Sequence, residues 1–193
     1  MIIRRMHWWI WLFVWVLPAA SSAGAQFTHD DFIRADKAIV RLPPSAFPNL
    51  PSEVRTTLEI RGCMIPQTFI STKPHNVIQG EFKKKDQTDW AILCSKDSDS
   101  SILVFWAGSN KKVDVIKKSP DKNWLQSIGN DKIGFSRLIS PVDQGFILEH
   151  YKRHGGSKPP PIRHQGIDES FVQKGSVVHY YYHGKWLDLT GAD

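Results

Sequence analysis

The sequence lacks the residue patterns that mark several common enzyme classes. It contains no H-E-x-x-H pair of metal ligands, no G-x-S-x-G turn for a nucleophilic serine and no C-x-x-C pair. The sequence therefore gives no motif-based support for a zinc peptidase, an α/β-hydrolase or a thioredoxin-like protein. No internal repeat, low-complexity tract or interdomain linker interrupts the chain, and no cofactor is indicated.

Long apolar runs are also scarce, and the one near the N-terminus is too short to anchor the chain in a membrane. Residues 8–17 are all apolar, and a helix of that length spans about 15 Å, roughly half of a hydrocarbon core. Two arginines precede this run, and Ala23 and Ala25 follow it as an A-x-A site. This order is that of a cleavable signal peptide. We predict removal of residues 1–25, a secreted or periplasmic location and no permanent membrane anchor.

Charge of one sign is not in large excess. The full chain has 25 Lys and Arg against 19 Asp and Glu, a net charge of +6. Loss of Arg4 and Arg5 with the signal peptide leaves 23 against 19, a net charge of +4 over 168 residues. This charge is too small and too scattered to indicate a nucleic-acid partner. An envelope protein or a glycan remains as the expected class of partner.

Cysteine is rare, since only Cys63 and Cys94 occur in the chain. In an exported chain, two cysteines outside a C-x-x-C motif favour a disulfide over metal ligation or a redox role. Closing a loop of this length stabilises a protein by about 3–4 kcal/mol in the chain-entropy model. We predict a Cys63–Cys94 disulfide, with two free thiols as the alternative.

The N-terminal part of the mature chain has helical signals, and strand signals follow. Thr28 and Asp31 have the spacing of a capping box, and a second helix is expected from Pro51 to a C-cap at Gly62. From residue 76 the pattern changes to short strands with polar turns, which predicts an antiparallel meander. Two of its strands contain runs that are apolar at every position and should be covered on both faces. The predicted strands are Asn76–Phe82, Asp89–Ser95, Ser101–Ala107 and Val113–Lys117.

The C-terminal half adds a third predicted helix and further strands. The helix starts at Ser119 and ends at Gly129, and a His183-Gly184 turn predicts a final hairpin. The predicted strands here are Gly134–Ile139, Phe146–Tyr151, Val177–Tyr182 and Lys185–Leu189. Together the elements predict an α+β fold in one domain over residues 26–193. An antiparallel meander sheet of five to seven strands should carry the N-terminal helices packed on it.

One segment resembles a known repeat. Gly80-Glu81-Phe82, followed after six residues by Asp89-Trp90-Ala91-Ile92, has the spacing of the FG-GAP repeat of integrin-like propellers. The resemblance covers Gly80–Ile92 and implies a local hairpin. Lysines at 83–85 stand where that repeat has calcium ligands, so calcium binding is not expected. The chain also resembles uncharacterised exported bacterial proteins, through Gly-Cys-x-Ile-Pro-Gln at 62–67 and a Gly-Lys-Trp hairpin.

Histidines are concentrated near the C-terminus and are the candidate chemical groups. Five of the seven in the mature chain lie in the last 44 residues. Imidazole is a common transition-metal ligand and general base, so His150, His164 and His179 are the candidate metal ligands. His150 and His179 would share a face if the final hairpin paired with the strand predicted at 146–151. The favoured interpretation is that these histidines are ordinary surface residues and that no metal is bound.

Aromatic residues cluster in the final hairpin. Tyr180, Tyr182 and Trp186 would form a stacking platform for a sugar or a peptide where their rings face solvent. The favoured interpretation is that these rings pack in the core across the hairpin.

The absence of an assembled catalytic set favours a small exported domain that is non-enzymatic and acts in binding or in association with the cell envelope. The alternative is a hydrolase-like or metal-dependent enzyme that uses the C-terminal histidines. The two hypotheses differ in one geometric requirement. An enzyme needs at least two of His150, His164, His179 and Asp168 to converge in one pocket.

Overall fold

The computed structural model describes residues 27–191, and the predicted signal peptide with its cleavage site lies outside them. Helix α1 (His29–Lys37) begins at the predicted capping box. The Thr28 backbone N–H donates to the Asp31 carboxylate (2.7 Å), and the Asp31 N–H donates to the Thr28 hydroxyl (3.3 Å). These two bonds satisfy backbone donors that the first turn of a helix leaves free, which fixes where the helix starts.

Two further α-helices lie in the described residues. Helix α2 (Ser52–Ile60) follows Pro51, and Gly62 just beyond its end has a φ of +69°, as the predicted C-cap requires. Helix α3 (Gln144–His154) occupies the segment where the strand Phe146–Tyr151 was predicted, so that prediction is wrong. The Asp143 carboxylate caps α3 by accepting the Phe146 N–H at 2.8 Å.

The described strands form two four-stranded sheets and two short pairs, rather than the single sheet that was predicted. All pairings between named strands are antiparallel, and the α+β class is confirmed. The short pairs consist of β1 (Arg41–Leu42) with β2 (Ile65–Pro66), and of β7 (Leu125–Ser127) with β8 (Ile133–Phe135). The sheet strands are β3 (Val77–Gly80), β4 (Asp89–Lys96), β5 (Asp99–Phe105), β6 (Val113–Pro120), β9 (Arg137–Val142), β10 (Gly166–Phe171), β11 (Gly175–Tyr182) and β12 (Lys185–Thr190).

The first sheet is the predicted meander, in the order β3-β4-β5-β6. Its β3–β4 pair contains the hairpin that the Gly80–Ile92 pattern implies. Between β5 and β6 the register shifts, so that Lys117 and Lys118 together oppose Ser101. This bulge gives Lys117 a positive φ of 41°, which is unusual for a residue with a side chain.

The second sheet has the order β9-β10-β11-β12 and contains the predicted final hairpin with its turn at His183-Gly184. The predicted helix from Ser119 to Gly129 is not formed. A short 3-10 turn at Asp121–Trp124 is followed there by β7.

The sheets and helices stack in four layers: α2, the first sheet, the second sheet and α3. Val54 and Leu58 of α2 pack with Trp90, Ile92 and Phe105 on the outer face of the first sheet. The opposite face of this sheet packs on the second sheet. Ile147 of α3 covers the far face of the second sheet. Strands β4 and β5 are therefore covered on both faces, as their continuous apolar runs predict. Helix α1 lies against the β7–β8 pair rather than on the first sheet.

The predicted disulfide Cys63–Cys94 is confirmed, with a Cα–Cα distance of 5.2 Å. It joins the residue after the C-cap of α2 to the interior of β4. Both cysteines are buried in the layer between α2 and the first sheet. The bond therefore fixes the helix on the sheet face that it covers.

The double substitution Cys63→Ser with Cys94→Ser should lower the melting temperature by about 10 °C, because removing a bridge that closes a loop of this length costs about 3–4 kcal/mol. Differential scanning calorimetry measures this change. Wild-type protein treated with a reductant should show the same loss, and the variant should not respond to the reductant. An unchanged melting temperature, or two titratable thiols in the native protein, would contradict the bridge.

Candidate functional site

The structure places the three candidate metal-ligating histidines in different environments. His179 lies on β11 and faces the first sheet, whereas His150 lies on α3, on the other side of the second sheet. His164 lies in the loop before β10, where a polar recess of about 370 Å³ also has Glu81 and Asp143 in its lining. These three histidines do not converge. The fourth residue that the enzyme hypothesis names, Asp168, lies on the sheet face that α3 covers, on the same side as His150 and close enough to affect its pKa.

His179 belongs to a row of charged residues that crosses the second sheet. Its Nδ1 lies 2.7 Å from an oxygen of Asp188, and its Nε2 lies 2.9 Å from an oxygen of Glu169. Ionised carboxylates can only accept hydrogen bonds, so both ring nitrogens must donate. The doubly protonated imidazolium form of His179 satisfies this arrangement. The other oxygen of Glu169 accepts from Arg137 Nε at 2.6 Å. Each strand of the sheet thus supplies one member of the row.

Arg137 ends this row and reaches into the first sheet. Its Nη1 donates to the backbone carbonyl and the hydroxyl of Ser100, both at 2.7 Å, and its Nη2 donates to the carbonyl of Lys117 at 2.8 Å. Together with the two contacts to Glu169, these bonds use all five N–H donors of the guanidinium. The ring of Trp124 lies 4.8 Å from the guanidinium carbon. A buried cation with every donor paired is a structural clamp between the two sheets.

The row shifts the pKa values of its members in opposite directions. Burial alone would lower the pKa of His179, but hydrogen bonds to Asp188 and Glu169 raise it above its usual value. Burial alone would raise the pKa of Glu169, but the hydrogen bond from His179 and the charge of Arg137 lower it. His179 is 0 % exposed, and both ring nitrogens are occupied. It therefore has no free lone pair for a metal ion or for a substrate proton.

His150 has a different environment, with an unpaired nitrogen. Its Nε2 is buried without a hydrogen-bond partner, and Oδ1 of Asp168, on the sheet face that α3 covers, is likewise buried and unpaired. His154 lies one helical turn further on, with ring centroids 4.8 Å apart. Burial, and then the neighbouring His154, lower the pKa of His150, while Asp168 acts in the opposite direction. Within residues 27–191, no group of three or more His, Cys, Asp or Glu side chains is placed to hold a metal ion.

The three rings of the proposed stacking platform do not lie on one surface. Tyr180 is buried in the core under α3, and Tyr182 packs at the border of the same core. Trp186 lies on the opposite face of the second sheet, where it stacks on Trp106 at a centroid distance of 5.7 Å. Its indole N–H donates to Asp114 at 3.2 Å. The strand alternation of the hairpin explains this, because Trp186 pairs with Tyr181 and not with Tyr180.

A groove of about 480 Å³ lies between α1, residues 67–74 and the β7–β8 pair. Two backbone hydrogen bonds frame it: the Gln67 N–H donates to the Val40 carbonyl at 2.8 Å, and the Phe69 N–H donates to the Phe135 carbonyl at 3.2 Å. Val40 is 60 % exposed although it is apolar. The apolar lining includes Ile39, Val40, Phe69, Ile128, Ile133 and Phe135.

One wall of the groove is a loop that is tied down by its own side chains. His75 donates its backbone N–H to the Gln67 side-chain oxygen at 2.8 Å, and the Gln67 side-chain nitrogen donates to the His75 carbonyl at 3.0 Å. His75 Nε2 accepts the Thr68 N–H at 2.7 Å, and this acceptor role assigns the proton to Nδ1, which donates to the Lys73 carbonyl at 2.8 Å. The loop is therefore held in shape before any ligand arrives.

Comparison of the chain with family models, with curated proteins and with solved structures gives no match. Within residues 27–191, no helix has the length and the apolar character that a membrane span requires.

Sequence reasoning did not find the groove or the charged row. The groove is built from segments near residues 35–42, 67–74 and 128–135, and no periodicity links them. In the sequence, Glu169 stands out only as an acidic residue close to the C-terminal histidines, and no motif or spacing marks Arg137 as important. A charged residue inside a strand that is otherwise apolar is the one local feature that could have pointed to the row.

The free energy of unfolding should fall as the pH rises above about 6.5. The pKa of His179 is raised in the folded protein, so its contribution is complete below the usual histidine pKa of about 6.5 and is lost as the pH passes the folded value. Urea unfolding at several pH values measures this slope. His179→Gln should flatten it, whereas His183→Gln, in an exposed turn, should leave it unchanged. An equal slope in wild type and in His179→Gln would contradict the assignment.

Proposed function

We propose that this chain is an exported, non-enzymatic binding domain and that the groove beside α1 is its ligand site. The N-terminal pattern of residues 1–25 supports export, and the Cys63–Cys94 disulfide is compatible with an oxidising compartment. The observation that carries the proposal is the groove itself, a concave surface with exposed apolar residues and a rigid wall.

The dimensions and chemistry of the groove fit a small ligand. Its volume of about 480 Å³ falls in the range of roughly 300–1,000 Å³ that is usual for small-molecule sites. Such sites have an apolar lining with a few polar groups that orient the ligand. Here the exposed side chains of Ser71 and Thr72 supply hydroxyls on the same wall, whereas the Thr68 hydroxyl is buried against His75 Nε2 at 2.8 Å. Val40, which is 60 % exposed, adds apolar surface at the groove that a bound apolar group would cover.

The charged row supports a binding role over catalysis at His179. Its imidazole is enclosed by Glu169 and Asp188, and the hydrogen bonds to these two carboxylates, which link neighbouring strands of the second sheet, explain its burial. A general base needs an accessible lone pair within reach of the substrate, and His179 has none.

Filling the groove should abolish binding without unfolding the protein. Ala35 lines the groove from α1, and Ala35→Trp should reduce binding of the neutral dye Nile red by at least tenfold because the indole occupies the ligand volume. Dye fluorescence measures binding to the mature protein, residues 26–193. Ile33→Trp, on the same helix but outside the groove lining, is the matched control. Equal binding by both variants, or no binding by the wild type, would overturn the proposal.

A second candidate is a metal-dependent function at α3, which the unpaired Nε2 of His150 and the nearby His154 favour. Two histidines four residues apart on a helix can bind one ion. Under this alternative, zinc binds the mature protein with micromolar affinity, and both His150→Ala and His154→Ala weaken it at least tenfold. Isothermal titration calorimetry measures it, with His164→Ala as the control. Absence of saturable binding would remove the alternative.

A further inference from the structure

The groove contains a single charge. Of the side chains that line it, Lys73 alone is ionised at neutral pH, and the others are apolar or carry hydroxyl and amide groups. In the part of the chain that the structure describes, Lys73 forms no salt bridge. An ammonium group without a partner beside an apolar surface attracts an anionic group that carries an apolar body.

The polar groups of the groove are gathered on one wall. Ser71, Thr72 and Lys73 follow one another on the loop that Gln67 and His75 hold in place, and the Ser71 hydroxyl accepts the Lys73 N–H at 3.1 Å. The hairpin β7–β8 and the end of α1 supply apolar side chains on the other walls, among them Ile39 and Ile133. The groove therefore has a polar, cationic side and an apolar side, which is the division found in an amphiphile.

We propose that the groove binds a single-chain, monoanionic amphiphile as a free monomer, with the carboxylate of a medium-chain fatty acid at Lys73 and the alkyl chain along Phe69 and Phe135. This inference rests on the proposed function, because it names the class of ligand for the same groove. One ammonium matches one negative charge, so a monocarboxylate fits better than a dianionic phosphate monoester. An open groove of this volume admits one chain more readily than the two chains of a phospholipid.

The proposal sets an order of affinities among simple probes. Decanoate should bind more tightly than decyltrimethylammonium, which has a similar chain and the opposite charge. Each added methylene from octanoate to decanoate should tighten binding about fourfold while the chain stays inside the groove. Raising the salt concentration should weaken decanoate binding and leave the neutral dye Nile red unaffected, because only the charged contact is screened.

The test is displacement of Nile red from the mature protein by these probes, below their critical micelle concentrations. Lys73→Gln should weaken decanoate binding about fivefold, as expected for the loss of one partly solvated ion pair. It should tighten decyltrimethylammonium binding, because the repulsion between like charges is removed, and leave Nile red unchanged. Lys152→Gln is the control for net charge, since Lys152 is exposed on α3, away from the groove. Circular dichroism establishes that each variant is folded.

Each outcome separates this inference from the proposed function. Equal binding of decanoate and decyltrimethylammonium, or an unchanged decanoate affinity in Lys73→Gln, would overturn the inference while Nile red binding upheld the groove as a ligand site. Binding to phosphatidylglycerol vesicles without binding of decanoate monomers would overturn the free-monomer ligand. Absence of Nile red binding in the wild type would overturn both proposals.

Discussion

The contact on which this architecture depends is the buried guanidinium of Arg137. Its side chain is fully buried, so the protein must satisfy its charge and its five donors from two different sheets. Glu169 supplies the charge, and Ser100 with Lys117 supplies backbone oxygens. A buried ion pair of this kind contributes little net stability, since desolvation offsets much of the attraction, but loss of either partner leaves a buried charge uncompensated. The ion pair and the bonds from Arg137 to the first sheet are satisfied together in only one relative placement of the two sheets.

Several irregular features of the fold become understandable from this requirement. The bulge in β6 turns the backbone at Lys117 so that its carbonyl accepts from Arg137. The second oxygen of Glu169 needs a cation, and His179 supplies it. His179 in turn needs a second acceptor, which is Asp188 at the partly exposed end of the row. Positive and negative side chains therefore alternate across the sheet from β9 to β12, because each charged group needs a partner of opposite charge on the next strand.

The sequence was informative where short-range chemistry decides the structure. The capping box at Thr28, the glycine after α2 and the two-residue turn at His183 each depend on neighbours within a few residues, and each was predictable. Helix α3 was not, because its run Phe146–Tyr151 is short and begins with three apolar, β-prone residues, and length and periodicity cannot separate a strand from a buried helix there. The four-residue spacing of Ile147 and Tyr151 and the cap at Asp143 were the signals that favoured the helix.

The division into two sheets and the position of the site depend on contacts between residues far apart in the chain. Nothing local distinguishes a seven-stranded sheet from two stacked sheets of four, because both bury the same apolar runs. The groove shows the same limit, since Ile39, Phe69 and Phe135 are close only after the chain has folded. Its one charged residue, Lys73, is one of many lysines in the sequence and becomes distinctive only through its surroundings.

The bulge in β6 also bears on how this protein behaves among its own copies. In the described part of the chain, β6 is an outer edge of the first sheet, and an eight-residue edge strand offers a row of free backbone groups to any other extended chain. The irregular backbone at Lys117 and Lys118 interrupts that row, and the two lysines add like charge to it. The residue arrangement that completes the coordination of Arg137 therefore also discourages strand-by-strand growth into aggregates.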